Sequence, residues 1–328
     1  MAKLVTIFGG SGFLGRHVAF DLARRGWRVR IAVRRPDEAL FTRTYGHVGQ
    51  VAPVLCNIRD EASVRAVLTD ADAAINCVNI TSPKGKSTFQ TIFVDGAANV
   101  ARLSREMGVE RLVHVSGIGI DPDSDSKYVA AKSRGEAAVL EARPDAVVLR
   151  PSVMFGEGDS LYTKFASMAR FGPVVNIAAG DTKMQPVWVG DVAQAAAIAA
   201  EGGVAPGIYQ LGGPDVLTLR DIVQQALTSI DRRRLVVNQP IWLARLGAGA
   251  LDMVQTVSGG LISNGILTRD QLKLLSKDNV VEDGAQGFDA FGITPTAPQA
   301  VIDDYLWRFR PSGQYETIKK SAKNLRAD

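Results

Sequence analysis

The chain has 328 residues, 46% hydrophobic and 22% charged, which suits an ordinary soluble globular protein with one large domain or a domain plus an appendage. Two cysteines, Cys56 and Cys77, lie in apolar stretches and read as reduced, buried thiols; with only three histidines and no metal-ligand spacing, a metal site is excluded. Net charge is +4, and residues 305–328 alone hold six Lys/Arg against two Asp/Glu, so a nucleic-acid-binding body is excluded, and the tail is left for solvent, an acidic partner or an anionic membrane surface.

The first strand is "LVTIF" (4–8), an unbroken apolar run ahead of glycines, as expected of a strand covered on both faces. No signal or transit peptide is expected before it. Residues 13–25 continue at helical spacing and stop at Gly26. Strands then fall at "RVRIAV" (28–33), "QVAPVLCNI" (50–58), "AAINCV" (73–78), "RLVHVS" (111–116) and "AVVLRPS" (146–152). Between them lie a helix starting near Glu61, one over 92–107 ending at Gly108, and one carrying Tyr128 and Lys132. This alternation predicts an α/β fold: a Rossmann-type doubly wound parallel sheet over residues 1–152, completed by later strands.

Residues 153–310 are expected to form a smaller, less regular C-terminal lobe for docking or substrate, and 311–328 a basic tail. Within the lobe, "QPVWVGDVAQAAAIAA" (185–200) reads as a short strand and an Ala-rich helix capped by Asp191. "GIYQLGG" (207–213) is a strand, and Thr218 caps a helix over 218–230. In "PIWLARLGAGALDMVQTV" (240–257), Leu243, Leu246, Ala250, Val254 and Val257 share a helical face. That segment is either an amphipathic helix against a membrane or partner, or a packing helix, weakened by Gly247 and Gly249. No run of about 18 uncharged apolar residues occurs, so nothing is expected to span a bilayer.

The loop "FGGSGFLG" (8–15) places Gly9, Gly12 and Gly15 between a strand and a helix. Gly9 permits the tight turn, Gly12 lets backbone approach a pyrophosphate, and Gly15 lets the helix pack close. The pyrophosphate then meets the helix N-terminus, so Ser11, Phe13 and Leu14 join the glycines as cofactor-binding residues. The second strand ends in Arg34 and Arg35, with no carboxylate until Asp37. Two guanidinium groups there suit a 2′-phosphate and favour NADP(H), NADPH when reduced, over NAD.

The Tyr128/Lys132 pair is one helical turn apart. With the glycine loop and "LRPSVMFGEGD" (149–159), it resembles the short-chain dehydrogenase/reductase superfamily in its extended or atypical branch. That resemblance implies that Asn57 and Ile58 lie by the adenine, Cys77, Val78 and Asn79 near the ribose, and Pro151, Ser152 and Val153 by the nicotinamide. Lys132 would hold the nicotinamide ribose, with Ser116 and Gly117 flanking the active site. A tyrosine titrates near pH ~10 unless a neighbouring charge stabilises its phenolate. Active relatives add a Ser or Thr to polarise the carbonyl. Here Ser116 is followed by Gly117, so the catalytic set Ser116, Tyr128 and Lys132 is incomplete or shifted and is expected to be vestigial.

A narrower resemblance rests on "RPSVMFGEGDSLYTKFASMARFGPVV" (150–175), "MQPVWVGDVAQAA" (184–196) and "GIYQLGGPDVLTLRDIVQQ" (207–225). In order and spacing these are similar to the NAD(P)H-binding accessory subunits of respiratory complex I (NADH:ubiquinone oxidoreductase). The "LTRDQLKLLSKDNVV" (267–281) and "FGITPTAPQAVIDDYLWRFR" (291–310) blocks extend the likeness. It implies tightly held NADPH in a structural role, with other complex I subunits of the peripheral arm as partners. The expected absence of a leader points to a bacterial version on the cytoplasmic side of the inner membrane. Two alternatives stay open: an active NADP-dependent reductase, epimerase or dehydratase, and a module sensing the NADPH/NADP⁺ ratio.

Overall fold

The computed structural model describes residues 2–239, 269–275, 277–315, 318–319 and 321–322. The 240–257 segment and half of the 311–328 tail lie outside the described residues. Strands β1 (Leu4–Phe8), β2 (Arg28–Val33), β3 (Val51–Leu55), β4 (Ala73–Asn76), β5 (Arg111–Val115) and β6 (Val147–Pro151) alternate with helices α1 (Phe13–Arg24), α2 (Glu61–Leu68), α3 (Ala97–Glu106) and α4 (Lys127–Ala142). Then come β7 (Met154–Phe155), α5 (Tyr162–Met168), β8 (Val174–Ala178), β9 (Lys183–Met184), β10 (Val187–Trp188) and α6 (Val189–Glu201). The remainder is β11 (Gly207–Leu211), β12 (Leu217–Thr218), α7 (Leu219–Ser229), β13 (Leu235–Gln239), α8 (Arg269–Leu274) and α9 (Ile302–Leu306).

The chain divides into two units. The first comprises Met1–Ser152, Val189–Gly212 and Val281–Pro295; the second comprises Val153–Trp188, Gly213–Val280 and Thr296–Asp328. The first holds a seven-stranded sheet of order β11-β6-β5-β4-β1-β2-β3, parallel throughout. Every residue of β1 and of β4 is buried, as befits strands covered on both faces. Strand order reverses between β1 and β4, and the crevice beyond their carboxyl ends is where such sheets bind ligands.

Local structure departs from expectation where packing overrides periodicity. The helix expected over 92–107 begins as a π-helical turn at Gln90–Gly96 before α3. α4 approaches that turn so closely that a Cβ at Gly135 would lie 2.0 Å from the carbonyl oxygen of Phe93. The strand expected over 50–58 stops at Leu55, because Asn57 turns the chain: its carbonyl accepts from Asp60 N–H at 2.9 Å. Asp191 does not cap its helix. β10 runs straight into α6, which starts at Val189, so Asp191 lies within the first turn and is buried.

The second unit has its own core, built from Phe155, Tyr162, Val175, Ile177, Leu219, Ile222, Val223, Tyr305 and Leu306 among others. β8 pairs parallel with β13, and α7 starts in a reciprocal capping box between Thr218 and Asp221. Within that core two buried tyrosine hydroxyls are bonded: Tyr162 donates to Gln225 at 2.7 Å and Tyr305 to Asp159 at 2.8 Å. Among the described residues, no helix is long and apolar enough to cross a membrane, and no cluster of His, Cys, Asp or Glu could hold a metal ion.

Candidate nucleotide site

The loop between β1 and α1 is held by backbone alone. Gly9 adopts φ +73°, donates to Ala32 O at 3.0 Å and accepts from Gly12 N–H at 2.9 Å. Gly12 is the extended N-cap of α1 and offers no side chain to the helix, so the first N–H groups of α1 have no side-chain acceptor. A Cβ at Gly15 would lie 2.3 Å from Gly9 O and 2.7 Å from Gly10 Cα. A Cβ at Gly9 would press at 3.2 Å on the backbone of Cys77 and Val78, at the end of β4. This close-packed cradle ends at a helix N-terminus and fits a dinucleotide pyrophosphate; Ser11 and Phe13 are half-buried there, and the Leu14 side chain is buried.

On the β2 side the two arginines separate. Arg35 is paired with Glu38 at 2.7 Å, whereas Arg34 is exposed and has no ion pair among the described residues. Asn57 turns its side-chain oxygen to Arg59, at 3.3 Å to the backbone N–H and 3.2 Å to Nε. Ile58 is buried and packs where Gly96 leaves room: a Cβ there would meet its Cδ1 at 2.6 Å. The N–H of Cys77 is bonded to Phe8 O at 2.9 Å and that of Val78 to Asn76 Oδ1 at 3.1 Å.

α4 is capped by the Ser126 hydroxyl, which accepts from Val129 N–H. Tyr128 stacks edge-on against Phe89 and Phe93, and its hydroxyl donates to Asn79 Oδ1 at 3.0 Å. Burial pushes the phenol up to about 12, with the Asn79 bond pulling the other way. Lys132 Nζ donates to Ser116 O at 2.9 Å and Val115 O at 3.5 Å, and lies 5.6 Å from the centre of the Phe93 ring. Burial lowers the ammonium to about 8, opposed by Glu136 and Cys77. The Cys77 thiol is pushed up to about 12 by burial, which makes it an inert neutral group.

The fold thus brings together Tyr128 with Asn79, and Lys132 with Ser116. The contact that unites Lys132 and Ser116 is to the serine's carbonyl. Its hydroxyl is buried and has no hydrogen-bond partner among the described residues. Position 117 has space for a side chain, since a Cβ would meet only Pro151 O at 3.9 Å. Pro151 O also accepts from Ile118 N–H, and Ser152 N–H donates to Leu211 O, which fixes the end of β6. Val153 opens the second unit, where its N–H donates to Asn279 Oδ1 at 3.1 Å.

Sequence reasoning missed two supports. Asn79 was expected by the ribose, and its hold on the Tyr128 hydroxyl crosses 49 residues with no local signal. Buried Glu136, one turn beyond Lys132, takes Arg150 of β6 in a forked pair. His114 on β5 is also buried, and its Nδ1 lies 3.3 Å from Asn76 Nδ2, which makes it the acceptor and leaves the proton on Nε2. Burial, aided by the Lys132 charge, depresses it to about 3. The unfolded chain therefore takes up a proton below about pH 6.5 that the folded chain refuses. Stability from this group is full above that pH and is lost as pH falls toward 3. Urea titrations should show the parent losing about 2 kcal/mol more than His114→Gln between pH 7 and 5; parallel curves would refute the assignment.

Residues 5–212 match the NAD dependent epimerase/dehydratase family. The chain belongs to that family. The match ends just past β11, the last strand of the sheet. Over 316 residues, 94% of this chain and 79% of the relative, it is 32% identical to "NADH dehydrogenase [ubiquinone] 1 alpha subcomplex subunit 9, mitochondrial" of Arabidopsis thaliana. It is 28% identical over 324 residues to the "NADH-ubiquinone oxidoreductase 40 kDa subunit, mitochondrial" of Neurospora crassa, covering 98% of this chain and 84% of that one. Among solved structures, the fold matches UDP-glucose 4-epimerase of Thermus thermophilus, in complex with NAD, with TM-score 0.67 and 19% identity over 94% of this chain and 100% of that one. The likeness to the two mitochondrial subunits therefore runs through both units of this epimerase/dehydratase-family chain.

Proposed function

We propose that the chain is an NADPH-binding accessory subunit of respiratory complex I that holds its dinucleotide as a structural ligand. The observation that carries this reading is the Tyr128 hydroxyl, committed to Asn79 beside an intact glycine cradle and a position 117 without a hydroxyl. When bound, the dinucleotide supplies a hydride-bearing nicotinamide; Tyr128 at about 12 keeps its proton at neutral pH, and Lys132 is left to grip ribose hydroxyls. A ligand that binds only the folded state stabilises it by about 4 kcal/mol at a thousandfold excess over Kd. The length-wide similarity to complex I subunits supports docking on the peripheral arm. The basic charge of residues 305–328 favours an anionic membrane surface beside it. We place the protein on the cytoplasmic side of a bacterial inner membrane.

Within this reading Arg34 selects the 2′-phosphate. Arg34→Ser should weaken NADPH roughly 10- to 100-fold, the worth of a hydrogen bond to a charged group, and leave NADH almost unchanged. Arg35→Ser should cost less, because that guanidinium already shares Glu38. Titration calorimetry with both nucleotides checks this, and equal losses for NADH and NADPH would refute it.

The deciding experiment isolates complex I from native membranes and identifies its subunits and bound nucleotide together. The chain should be present with NADPH attached, and Tyr128→Phe should alter neither NADPH content nor the NADH:ubiquinone rate. A second reading, an active NADP-dependent reductase, draws on Lys132, lowered to about 8 and one turn from Tyr128. Absence from complex I, together with carbonyl-dependent NADPH oxidation that Tyr128→Phe abolishes, would establish it instead.

A further inference from the structure

The outer face of α1 and the segment after β2 carry apolar side chains that the nucleotide site does not use. Pro36–Tyr45 forms a 3₁₀ helix that turns Ala39 and Thr42 inward. Leu40 and Phe41 are left 46% and 45% exposed, beside Phe20 of α1 at 42%. Tyr45 joins them into one row: its ring meets Phe20 edge-on at 5.6 Å and Phe41 at 6.1 Å. A 3₁₀ run of ten residues is long for its type, and here it holds two aromatics and a leucine in one fixed relief.

Beside this relief two arginines and one acid, Asp37, are exposed without an ion pair among the described residues, so the unpaired charge is net positive. Arg24 lies over Phe20 at 5.5 Å, and Arg43 is exposed on the 3₁₀ helix; neither has an ion pair among the described residues. The nearby acids Asp21 and Glu38 are already taken by Arg25 and Arg35. Aromatic side chains with unpaired arginines at their edge make up the composition of protein docking surfaces. A second copy of the chain would offer Asp37 alone against Arg24 and Arg43, a poorer electrostatic match than an acid-edged partner.

We propose that Phe20, Leu40, Phe41 and Tyr45, flanked by Arg24 and Arg43, form a docking face for an apolar, acid-edged segment of a neighbouring protein subunit. This rests on the accessory-subunit reading and adds the surface through which the subunit is held. The 3₁₀ helix starts directly after Arg34 and Arg35, so the docking face and the 2′-phosphate end of the nucleotide site belong to one segment.

The test replaces the chain in its host by Phe20→Ser/Phe41→Ser, and separately by Arg24→Glu/Arg43→Glu. The amount of chain per complex I is then measured against a core subunit in gently solubilised membranes. Both variants should fall at least tenfold, while each purified variant keeps the parental melting temperature and NADPH affinity. If the serine variant melts early, the charge-reversed variant, altered only at exposed positions, decides. Parental stoichiometry in the charge-reversed variant overturns the proposal. So does a parallel loss of binding to phosphatidylglycerol vesicles, which would make the face a membrane contact. A parental dimer that the variants dissociate would make it a self-association surface. If the parent itself is absent from complex I, the accessory-subunit reading falls and this inference with it.

Discussion

Gly15→Ala should reduce NADPH affinity by at least two orders of magnitude, close to 3 kcal/mol. The added methyl would lie 2.3 Å from Gly9 O and 2.7 Å from Gly10 Cα. Both neighbours are backbone, so no rotamer change relieves the contact, and α1 must move out by about 1 Å. That displacement carries the first N–H groups of α1 away from the phosphates they are placed to meet, and overpacking itself costs about 1–3 kcal/mol of stability. Gly117→Ala is the internal control, because its methyl would meet only Pro151 O at 3.9 Å. Fluorescence titration of NADPH into both variants separates the effects. A Gly15→Ala affinity within threefold of the parent would show that the cradle is not the binding site.

Arg150→Met should lower the unfolding free energy by about 3–5 kcal/mol at pH 7, the usual cost of leaving one partner of a buried ion pair alone. Glu136 is 3% exposed and sits on α4 beneath Lys132. Its carboxylate receives Arg150 Nε at 3.2 and 3.1 Å and Nη2 at 2.5 Å. Without the guanidinium, the carboxylate either stays charged and unpaired or takes a proton. In the second case the support it gives the Lys132 ammonium is lost as well. The double change Glu136→Leu/Arg150→Met should recover most of the loss, since an apolar pair of similar volume avoids the desolvation cost. Urea unfolding of the three variants checks this. A single-variant loss below about 1 kcal/mol would mean that water already reaches the pair.

Much of the first unit was legible because its signals are local. The apolar run of β1 and the spacing of α1 each reside in about a dozen consecutive residues or fewer, and the doubly wound sheet follows from the alternation of such segments. The Gly9, Gly12 and Gly15 turn was legible for the same reason. Features made by distant contacts were not. β8 and β13 are short, and each gains its strand character from the other across some sixty residues of chain. The π-helical turn at 90–96 coincides with Gly135 of another helix, and nothing within "QTIFVDG" announces it. The Tyr128/Lys132 spacing was plain, but the bond from Tyr128 to Asn79, which bears on its chemistry, depends on how β4 ends. The Arg35–Glu38 pair was within local reach, at three positions on a helical turn. Reading both arginines as phosphate ligands passed over it.

β11 completes the sheet beside β6, yet the chain makes it only after leaving the first unit and returning. During synthesis at about 5–20 residues per second, the backbone edge of β6 stays open for the seconds needed to translate residues 153–206. An open edge on an apolar parallel strand recruits other chains. A nascent chain released near residue 152, or a fragment cut there to obtain a minimal nucleotide-binding piece, should therefore aggregate through β6. The shortest version that folds alone should carry β11, and proteostasis factors in the host should meet this protein mainly in the interval before β11 emerges.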